Sequence, residues 1–567
     1  MFPLRFKTAA ALVLLGLLTL LAGIGQQTIW APSETFTAAA PADSAAAPVT
    51  VFDKDLRTLH GGTAKITIEG DGNFVLATGR PDDIAAWVGQ AAHNTVTGVS
   101  EDKKALQVEH AEGEATVPNP AGSDLWVSTE NASGNLEYTW TPPADGDWSL
   151  LLASDGTKAA PASVSITFPN DTATPWAVPL IVLGSLIILA GIALAAWSAR
   201  KGKSGGVDGG KPAAPGTDGK STGPGSRRAP GTSTPLTMAA AAVATVLVAG
   251  SATAAVAASP SPDPTASSDA AASTASPVLL DAQFRRILEQ VSSAVDAGDA
   301  ARDAAQLASR VGGTELEVRT QNYKIRSQVG TYEARMPVRS TKLLTTVVTT
   351  NRDWSRSVLA VTQGDGNVVP QLLTLVQASP RENYKLVQTT PLQPGTTFPT
   401  IDRGTETLAP ADKAGLAYSP QEALAGLADR LGNADSAYKD KLVEGASSPY
   451  IADTLSYQAE VVKSGENGNF SFTHKVDPNS ITVFRTADGG ALVEGRINFG
   501  FEGTPKAAGD KLTIGEDAAA LAGGTETTTG MVLSFVESMA IYVPPADSAD
   551  PMKLVAATRG LVGASFK

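Results

Sequence analysis

Four histidines, His60, His93, His110 and His474, are the candidates for imidazole chemistry in this 567-residue chain. No two of them stand at the HxxxH or HxH spacing that presents two imidazoles to one metal ion. The sequence contains no cysteine, which excludes disulfides, thiolate metal sites and cysteine nucleophiles. We therefore expect surface or core histidines, and we assign no metal and no cofactor.

Paired carboxylates are the second group that could do chemistry, and they occur at Asp82-Asp83 and Glu101-Asp102. Adjacent acids at predicted helix starts and loops more often contact water or cap a helix than catalyse, and a glycosidase needs a carboxylate separation that a sequence does not give. GxSxG, GxxxxGK[ST], HExxH and GxGxxG motifs are absent from the sequence. The sequence thus predicts a protein that is not an enzyme, with no catalytic residue assigned.

Three tryptophans, Trp126, Trp140 and Trp148, recur at intervals of about ten residues and could line a sugar site. The surrounding alternation of apolar and polar residues is by itself enough to explain them as core residues, and we favour that interpretation.

Two apolar runs predict membrane helices. Residues 8–30 follow Arg5 and Lys7 and suit a transmembrane helix or signal anchor whose N-terminus stays in the cytoplasm, with a cleavable signal peptide as the alternative. Residues 176–198 are apolar throughout, have tryptophan near each end and are followed by the basic sequence ARKGK. This basic flank predicts that the second helix ends in the cytoplasm, so the residues before it lie outside.

A third apolar run, residues 236–258, lies in the middle of the chain but resembles an export signal, with Arg227 and Arg228 upstream and small residues at its end. It follows a Gly/Pro/Ser-rich segment, residues 199–235, with seven basic and two acidic residues, which predicts a cytoplasmic linker. We interpret the run as a transmembrane helix or internal signal-like segment that carries the C-terminal half outside. Retention is favoured, and cleavage after Ala257 is the alternative. A disordered linker is predicted at 259–277.

Residues 45–172 are expected to form an extracytoplasmic β-sandwich. Short strand patterns alternate with turn signals such as Asp71-Gly72 and Asp155-Gly156, and one short helix is predicted at PDDIAAWVG from Pro81. DLWVSTE, residues 124–130, is one of the predicted strands.

Three segments of the predicted β domain precede the second membrane helix and show a resemblance to a known family: FVLATGRPDDIAAWV, LWVSTENASGNLEYTW and GDWSLLLASDG. Residues 60–200 are similar to an uncharacterised actinobacterial family of exported β-domains anchored just outside the membrane. The resemblance implies an extracytoplasmic position and gives no functional residues.

The C-terminal half is expected to be α+β, with one module at 278–405 and a second at 417–567. In the first, Leu280, Phe284 and Ile287 begin a helical face with Asp281 as its cap, DAARDAAQLASRV predicts a second helix, and ELEVR predicts a strand. In the second, PQEALAGLADRLG predicts a helix, SYQAEVV a strand, and Asp488-Gly489 a hairpin turn. This order resembles NTF2-like domains, in which a curved sheet wraps a helix and can leave a pocket, and the C-terminal half of actinobacterial envelope proteins.

The formal net charge of −13 is unevenly distributed, because the clustered positive charge lies beside apolar runs rather than on the predicted domains. This pattern predicts no nucleic-acid partner. The sequence favours a multi-pass cell-membrane protein of the envelope, whose partners are the bilayer and envelope proteins or glycans. The alternative is a subunit of a glycan-modifying enzyme or transferase with a site built from loops.

Overall fold

A computed structural model describes residues 4–144, 146–201 and 278–567, and these form two compact units. One unit holds two long apolar helices. The other holds residues 32–173, here called the β domain, together with the C-terminal half from residue 278. The predictions for residues 202–277, including the third apolar run and both linkers, lie outside the described residues.

The first unit contains α1, Leu4–Gln27, and α3, Ala177–Lys201. Phe6–Gln27 and Ala177–Ala199 are long and apolar enough to cross a membrane. Glycines bring the two helices together: a Cβ at Gly16 would lie 2.8 Å from the Gly184 carbonyl oxygen, and one at Gly184 would lie 2.5 Å from the Leu20 nitrogen. Small residues at helix crossings permit this close approach in membranes.

The β domain contains one eight-stranded sheet and the helix α2, Pro81–Val88. Its strands are β1, Thr35–Ala39; β2, Val49–Phe52; β3, Lys65–Gly79; β4, His93–Val99; β5, Leu106–Ala111; β6, Ser128–Thr139; β7, Ser149–Ala153; and β8, Ser163–Pro169. The order is β1-β8-β3-β7-β2-β4-β5, with β6 on the other edge of β3.

The β domain is thus built from strands as predicted, but these strands belong to one hydrogen-bonded sheet rather than to the two sheets of a β-sandwich. Strand β3 pairs with β8 in its first half and with β7 in its second half, and so joins strands that would otherwise form separate sheets. One face encloses a core around Phe52, Ile66 and Leu150, and the other packs against α2. DLWVSTE was also wrong in its first half, because Asp124 and Leu125 form a turn before β6.

The first C-terminal module packs two helices, α4, Asp281–Ala301, and α5, Gly313–Gln328, on a curved sheet. Its strands are β9, Lys342–Thr349; β10, Arg356–Gln363; β11, Gln371–Gln377; β12, Lys385–Pro391; and β13, Gly404–Thr405, in the order β12-β11-β10-β9-β13. The predicted apolar face of α4 is buried at Phe284 and Ile287.

Three local predictions in this module were wrong. ELEVR lies in α5, where Glu315 and Arg319 are one helical turn apart and form an ion pair. DAARDAAQLASRV is divided between the end of α4, a 3-10 turn at Ala304–Leu307 and an irregular segment. Asp281 is the first residue of α4 rather than its cap, and the Leu280 N–H donates to the Gln283 side chain instead.

The second module repeats this plan with α6, Pro420–Gly432, and α7, Tyr450–Ser464. The strands of its sheet are β14, Leu442–Val443; β15, Gly468–Arg485; β16, Ala491–Pro505; β19, Met531–Val543; and β20, Met552–Phe566, in the order β14-β20-β19-β16-β15. Between β16 and β19 lie a small ribbon of β17, Leu512–Thr513, and β18, Glu526–Thr527, and the helix α8, Glu516–Ala522. SYQAEVV, predicted as a strand, forms part of α7, and the hairpin turn at Asp488-Gly489 is confirmed.

The two modules share an apolar contact between their sheets, formed by residues such as Leu359, Leu372, Leu492 and Ala540. A carboxyl group is enclosed beside it: Glu494 on β16 accepts a hydrogen bond from the Thr374 hydroxyl, and its other oxygen has no partner in the described part of the chain. Burial raises the pKa of Glu494 to about 7. The described structure is thus mostly β, with two helix-plus-curved-sheet modules and two helices of membrane length.

Candidate functional site

The four histidines lie in four separate surroundings. His60 packs between Phe36 and Phe168, with ring centroids 4.9 and 5.4 Å away, and burial lowers its pKa. His93 contacts the Ala91 carbonyl oxygen at 2.8 Å. Within the described ranges no group of three histidine or carboxylate side chains could hold a metal ion.

His110 and His474 both have side-chain partners. The Nδ1 atom of His110 lies 2.8 Å from the Asn94 amide oxygen. His474 has a buried carboxylate partner, because its Nδ1 atom lies 2.9 Å from Oε2 of Glu537.

The His474–Glu537 pair has the form of a base and its orienting acid, but its surroundings are closed. The other ring nitrogen of His474 lies 3.0 Å from the Gln458 amide nitrogen, and the ring stacks on Phe499. Neither side chain is more than 1% exposed. A hydrogen-bonded pair without access to a substrate orders the core rather than performs acid–base chemistry.

Glu537 also neutralises Arg559. The guanidinium donates to Glu537 Oε1 from Nε at 3.0 Å and from Nη2 at 2.6 Å, and Nη2 also donates to Thr454. Burial alone would raise the pKa of Glu537, but the hydrogen bond with His474 and the positive charge of Arg559 lower it below its usual value. The bonds of Arg559 use Nε and Nη2, so Nη1 takes part in none of them.

Arg559 borders a pocket between the two modules, here called the seam pocket, with a volume of about 580 Å³. Five elements contribute to its lining: α5, the segment after α5, and the strands β11, β12 and β20. Its polar lining includes Asn322, Arg335, Gln371 and Arg559. This volume is within the roughly 300–1,000 Å³ range of small-molecule sites.

Three residues that line the seam pocket each have one buried polar atom without a hydrogen-bond partner among the described residues. These atoms are Oδ1 of Asn322, Nε of Arg335 and Oε1 of Gln371. Asn322 is 6% exposed and Gln371 is 1% exposed. These three atoms are themselves enclosed, so they lie behind the surface of the pocket rather than on it.

Arg335 is held loosely for a buried cation. Its Nη1 and Nη2 atoms donate long hydrogen bonds, both of 3.4 Å, to the hydroxyls of Thr558 and Thr389. Its nearest carboxylate oxygen, on Glu315, is 3.8 Å away. That carboxylate is bound more closely by Arg319, at 2.6 Å. The positive charge of Arg335 is therefore less compensated than that of Arg319 or Arg559, and burial lowers its pKa.

A second cleft lies where the β domain meets the first module, and its lining carries several charges. Every basic side chain that it presents has an acidic partner: Lys54 lies 2.9 Å from Asp147, Arg352 lies 2.9 Å from Asp82, Arg403 contacts Asp281, and Arg80 lies 3.9 Å from Asp83. These charges are neutralised by partners within the chain, so this cleft is a weaker ligand site than the seam pocket.

Beneath this cleft the β domain and the first module are joined by buried ion pairs. Asp124 Oδ2 lies 2.5 Å from Arg310 Nη1 and accepts a hydrogen bond from the Tyr384 N–H at 2.8 Å. Asp83 Oδ1 lies 2.8 Å from Arg356 Nη1. Asp124, Arg310, Asp83 and Arg356 are each at most 9% exposed, so the contact excludes water.

Hydrogen bonds from arginines of the C-terminal half add to this interface. Arg381 donates to the carbonyls of Trp87 and Val88, at the C-terminal end of α2, both at 2.8 Å. Arg286 donates to the Trp126 carbonyl oxygen at 2.5 Å. Such groups satisfy carbonyls that a helix end or turn leaves unpaired.

The tryptophans and paired acids named from the sequence do not line the seam pocket. Trp126, Trp140 and Trp148 are at most 2% exposed, which confirms the core interpretation. Asp82 and Asp83 serve the domain interface, whereas Asp102 is hydrogen-bonded to Ser100 in an exposed loop. Sequence reasoning missed Arg335, Asn322 and Gln371, since no local motif distinguishes them.

Comparison with known proteins gives one match. A family model described as "Domain of unknown function (DUF8094)" matches residues 275–565, which include both C-terminal modules and the seam pocket. No curated protein and no solved structure matches the chain.

Proposed function

Since the chain belongs to the DUF8094 family, whose function is unknown, we propose its role from the geometry: a non-enzymatic membrane protein of the cell envelope with an extracytoplasmic binding or scaffolding body. We include in this proposal that the C-terminal modules are NTF2-like and that the chain crosses the membrane more than once. The resemblance of residues 60–200 to exported actinobacterial β-domains supports the same location.

The observation that carries the proposal is the buried interface between the β domain and the first module. If α3 crosses the membrane, the chain on its two sides starts in different compartments. Asp124 and Arg310, which lie on opposite sides of α3 in sequence, are 2.5 Å apart. Two groups in contact share a compartment, so this contact supports the proposal that the chain crosses the membrane again after α3.

The third apolar run, residues 236–258, is the segment that suits this return. The basic residues at 200–203 favour a cytoplasmic end for α3, and the combined folded body is then outside. Among the described residues, the seam pocket and the enclosed His474–Glu537 pair favour binding over catalysis.

Single-cysteine labelling tests this topology cleanly because the chain has no cysteine. Ser133→Cys in the β domain and Ala508→Cys in the second module are both at exposed positions. Both variants should react with a membrane-impermeant maleimide in intact, wall-stripped cells, whereas Lys220→Cys in the predicted cytoplasmic linker should react only after permeabilisation. Protection of Ala508→Cys in intact cells would contradict the proposal.

A further inference from the structure

We propose that this chain forms a two-fold dimer through the free edge of β15, where residues 469–477 of one copy pair antiparallel with the same residues of a second copy. The partner is thus a second copy of this chain, and Thr473 lies on the two-fold axis. The inference goes beyond the proposed binding or scaffolding role, and it does not depend on which side of the membrane the folded body lies.

The first observation is the hydrogen bonding of β15. It is the last strand of its sheet, and within the described residues it pairs only with β16. The Lys506 N–H donates to the Asn467 carbonyl oxygen at 3.0 Å, so these two residues form a hydrogen-bonded pair of the ladder. Hydrogen-bonded and non-hydrogen-bonded pairs alternate along an antiparallel ladder, and the register has no shift from Gly468 to Asp477. The odd-numbered residues of this stretch therefore direct their N–H and C=O groups to β16.

The even-numbered residues direct their backbone groups to the free edge instead. These residues are Phe470, Phe472, His474 and Val476. In the described part of the chain, no element other than β16 hydrogen-bonds to the backbone of this stretch. A row of unpaired N–H and C=O groups is a template for one further strand.

The edge also lacks the features that normally prevent such pairing. Natural edge strands carry prolines, bulges or charges that keep other chains away. Residues 469–476 contain no proline and a single Asp, Glu, Lys or Arg residue, Lys475, and the register first shifts after Asp477, where Pro478 follows. β6 of the β domain is an edge strand too, but Gly134 at φ 81° and a register shift in β3 interrupt it. The β15 edge is therefore regular and open to a partner.

The accessible stretch sets the register of the dimer. Gly468 is buried, so this stretch runs from Asn469 to Asp477 and has its midpoint at Thr473. A two-fold axis through an odd-numbered residue places the even-numbered residues of the two copies opposite each other. Their outward N–H and C=O groups then meet and form about eight backbone hydrogen bonds.

The side chains of the exposed face are compatible with this register. Thr473 meets its own copy, and Lys475 meets Ser471 of the second copy. Asp477 meets Asn469, so no two like charges oppose each other. A two-fold interface requires a surface that is complementary to itself, and this strand provides one.

The opposite face of the strand adds apolar contacts. Phe470 and Val476 are half-buried there and lie opposite each other across the axis, and pairs of aromatic and β-branched residues stabilise a sheet. The helix α7 lies beside this face, because Gln458 is 3.0 Å from His474. Val462, one turn further along α7, is 57% exposed. An added strand covers part of this apolar surface while it completes the backbone ladder.

Single cysteines test the register directly, because the chain has no cysteine of its own. In a non-hydrogen-bonded antiparallel pair the two Cα atoms are about 4.5 Å apart, within the range that a disulfide bridges. Thr473→Cys should therefore give a disulfide-linked dimer when the full-length protein in detergent is oxidised with copper phenanthroline.

Ser471→Cys is the matched control, because Ser471 is exposed on the same face of the same strand. In the proposed register its two copies are about 14 Å apart, too far for a disulfide. The double variant Ser471→Cys/Lys475→Cys should cross-link again, since these two positions oppose each other.

Thr473→Glu tests the contact without a cross-link. It places two carboxylates opposite each other on the axis, so the dimer should dissociate several-fold more readily in sedimentation experiments. Thr473 is exposed in the single chain, so the near-ultraviolet circular dichroism spectrum should not change. Ser534→Glu is the control, because Ser534 is also exposed but lies on β19, two strands from the edge.

Each outcome decides the inference. Cross-linking of Thr473→Cys and of the double variant but not of Ser471→Cys, with a dimer that only Thr473→Glu weakens, supports it. A monomeric unsubstituted protein, equal cross-linking of Thr473→Cys and Ser471→Cys, or equal dimerisation of the two glutamate variants overturns it. These measurements use purified protein, so failure of the dimer and failure of the extracytoplasmic location are distinguishable.

Discussion

The interface between the β domain and the first module should hold the two halves of the chain together after the peptide backbone between them is cut. The experiment places a protease site between residues 260 and 275 in full-length, N-terminally tagged protein, cleaves it in detergent, and measures how long the C-terminal fragment stays on the tag resin. In the unsubstituted protein we expect retention. Asp124→Ala leaves Arg310 in a site where its side chain is only 9% exposed, without its carboxylate.

The size of the effect follows from that burial. Removing one partner of a buried ion pair costs about 3–5 kcal/mol, or roughly two to four orders of magnitude in affinity. The Tyr384 N–H also loses its acceptor. Glu114→Ala is the matched control, because Glu114 is 55% exposed and its pair with Arg381 is 3.3 Å long, which limits its contribution to about 1 kcal/mol or less.

Near-ultraviolet circular dichroism, to which the buried Trp126 contributes, verifies that the β domain of Asp124→Ala remains folded. Rapid release of the fragment from the unsubstituted protein would refute the reasoning. So would an Asp124→Ala fragment that stays bound as long as the control.

Three further predictions concern other parts of the chain. The pKa of Glu494 is raised to about 7 in the folded state, so the folded state keeps a proton that the unfolded state loses near pH 4.5. The free energy of unfolding should therefore fall by about 3 kcal/mol as the pH rises from about 4.5 to about 7. Urea unfolding of Glu494→Gln should show a smaller fall, and identical profiles would count against the buried acid. Glu537→Gln should lower the free energy of unfolding by about 3–5 kcal/mol at pH 7, since Arg559 would stay largely buried without its carboxylate. Because the pKa of Glu537 is lowered in the folded state, the difference from the unsubstituted protein should shrink as the pH falls through that pKa. A difference that does not change with pH would contradict the charge argument. Gly184→Leu should separate α1 from α3 and lower the melting temperature in nanodiscs, whereas Leu183→Ala, at a position 51% exposed, should have little effect; equal effects would place the helix contact elsewhere.

Local pattern and composition predicted much of the fold, because the information lies within a few neighbouring residues. The helical face that contains Phe284 and Ile287 is buried in α4, and the Asp488-Gly489 turn joins β15 to β16. Pro81 opens α2 as its position predicts. Each of these features depends on periodicity or turn geometry rather than on a distant partner.

One error arose because buried charged residues made a helical segment look like a strand in the sequence. ELEVR alternates like a strand, but in α5 Glu315 and Arg319 point into the module and are satisfied by Asp299 and Thr389 from other elements. A sequence pattern treats these residues as exposed because it contains no information about those partners. The seam pocket was hidden for the same reason: Asn322, Gln371 and Arg559 are brought together only when the two modules pack.

The domain interface also bears on the fate of the third apolar run. If that run is retained, residues from 278 on are tethered to the membrane through the backbone; if it is cut after Ala257, only non-covalent contacts remain. Those contacts include the buried pairs Asp124–Arg310 and Asp83–Arg356, and water cannot compete effectively for either. The β domain is covalently joined to α1 and α3, so it would keep a cleaved C-terminal half at the same membrane. We therefore expect the C-terminal half to stay attached to the β domain in both cases, and cleavage would alter the length of the polypeptide rather than this attachment.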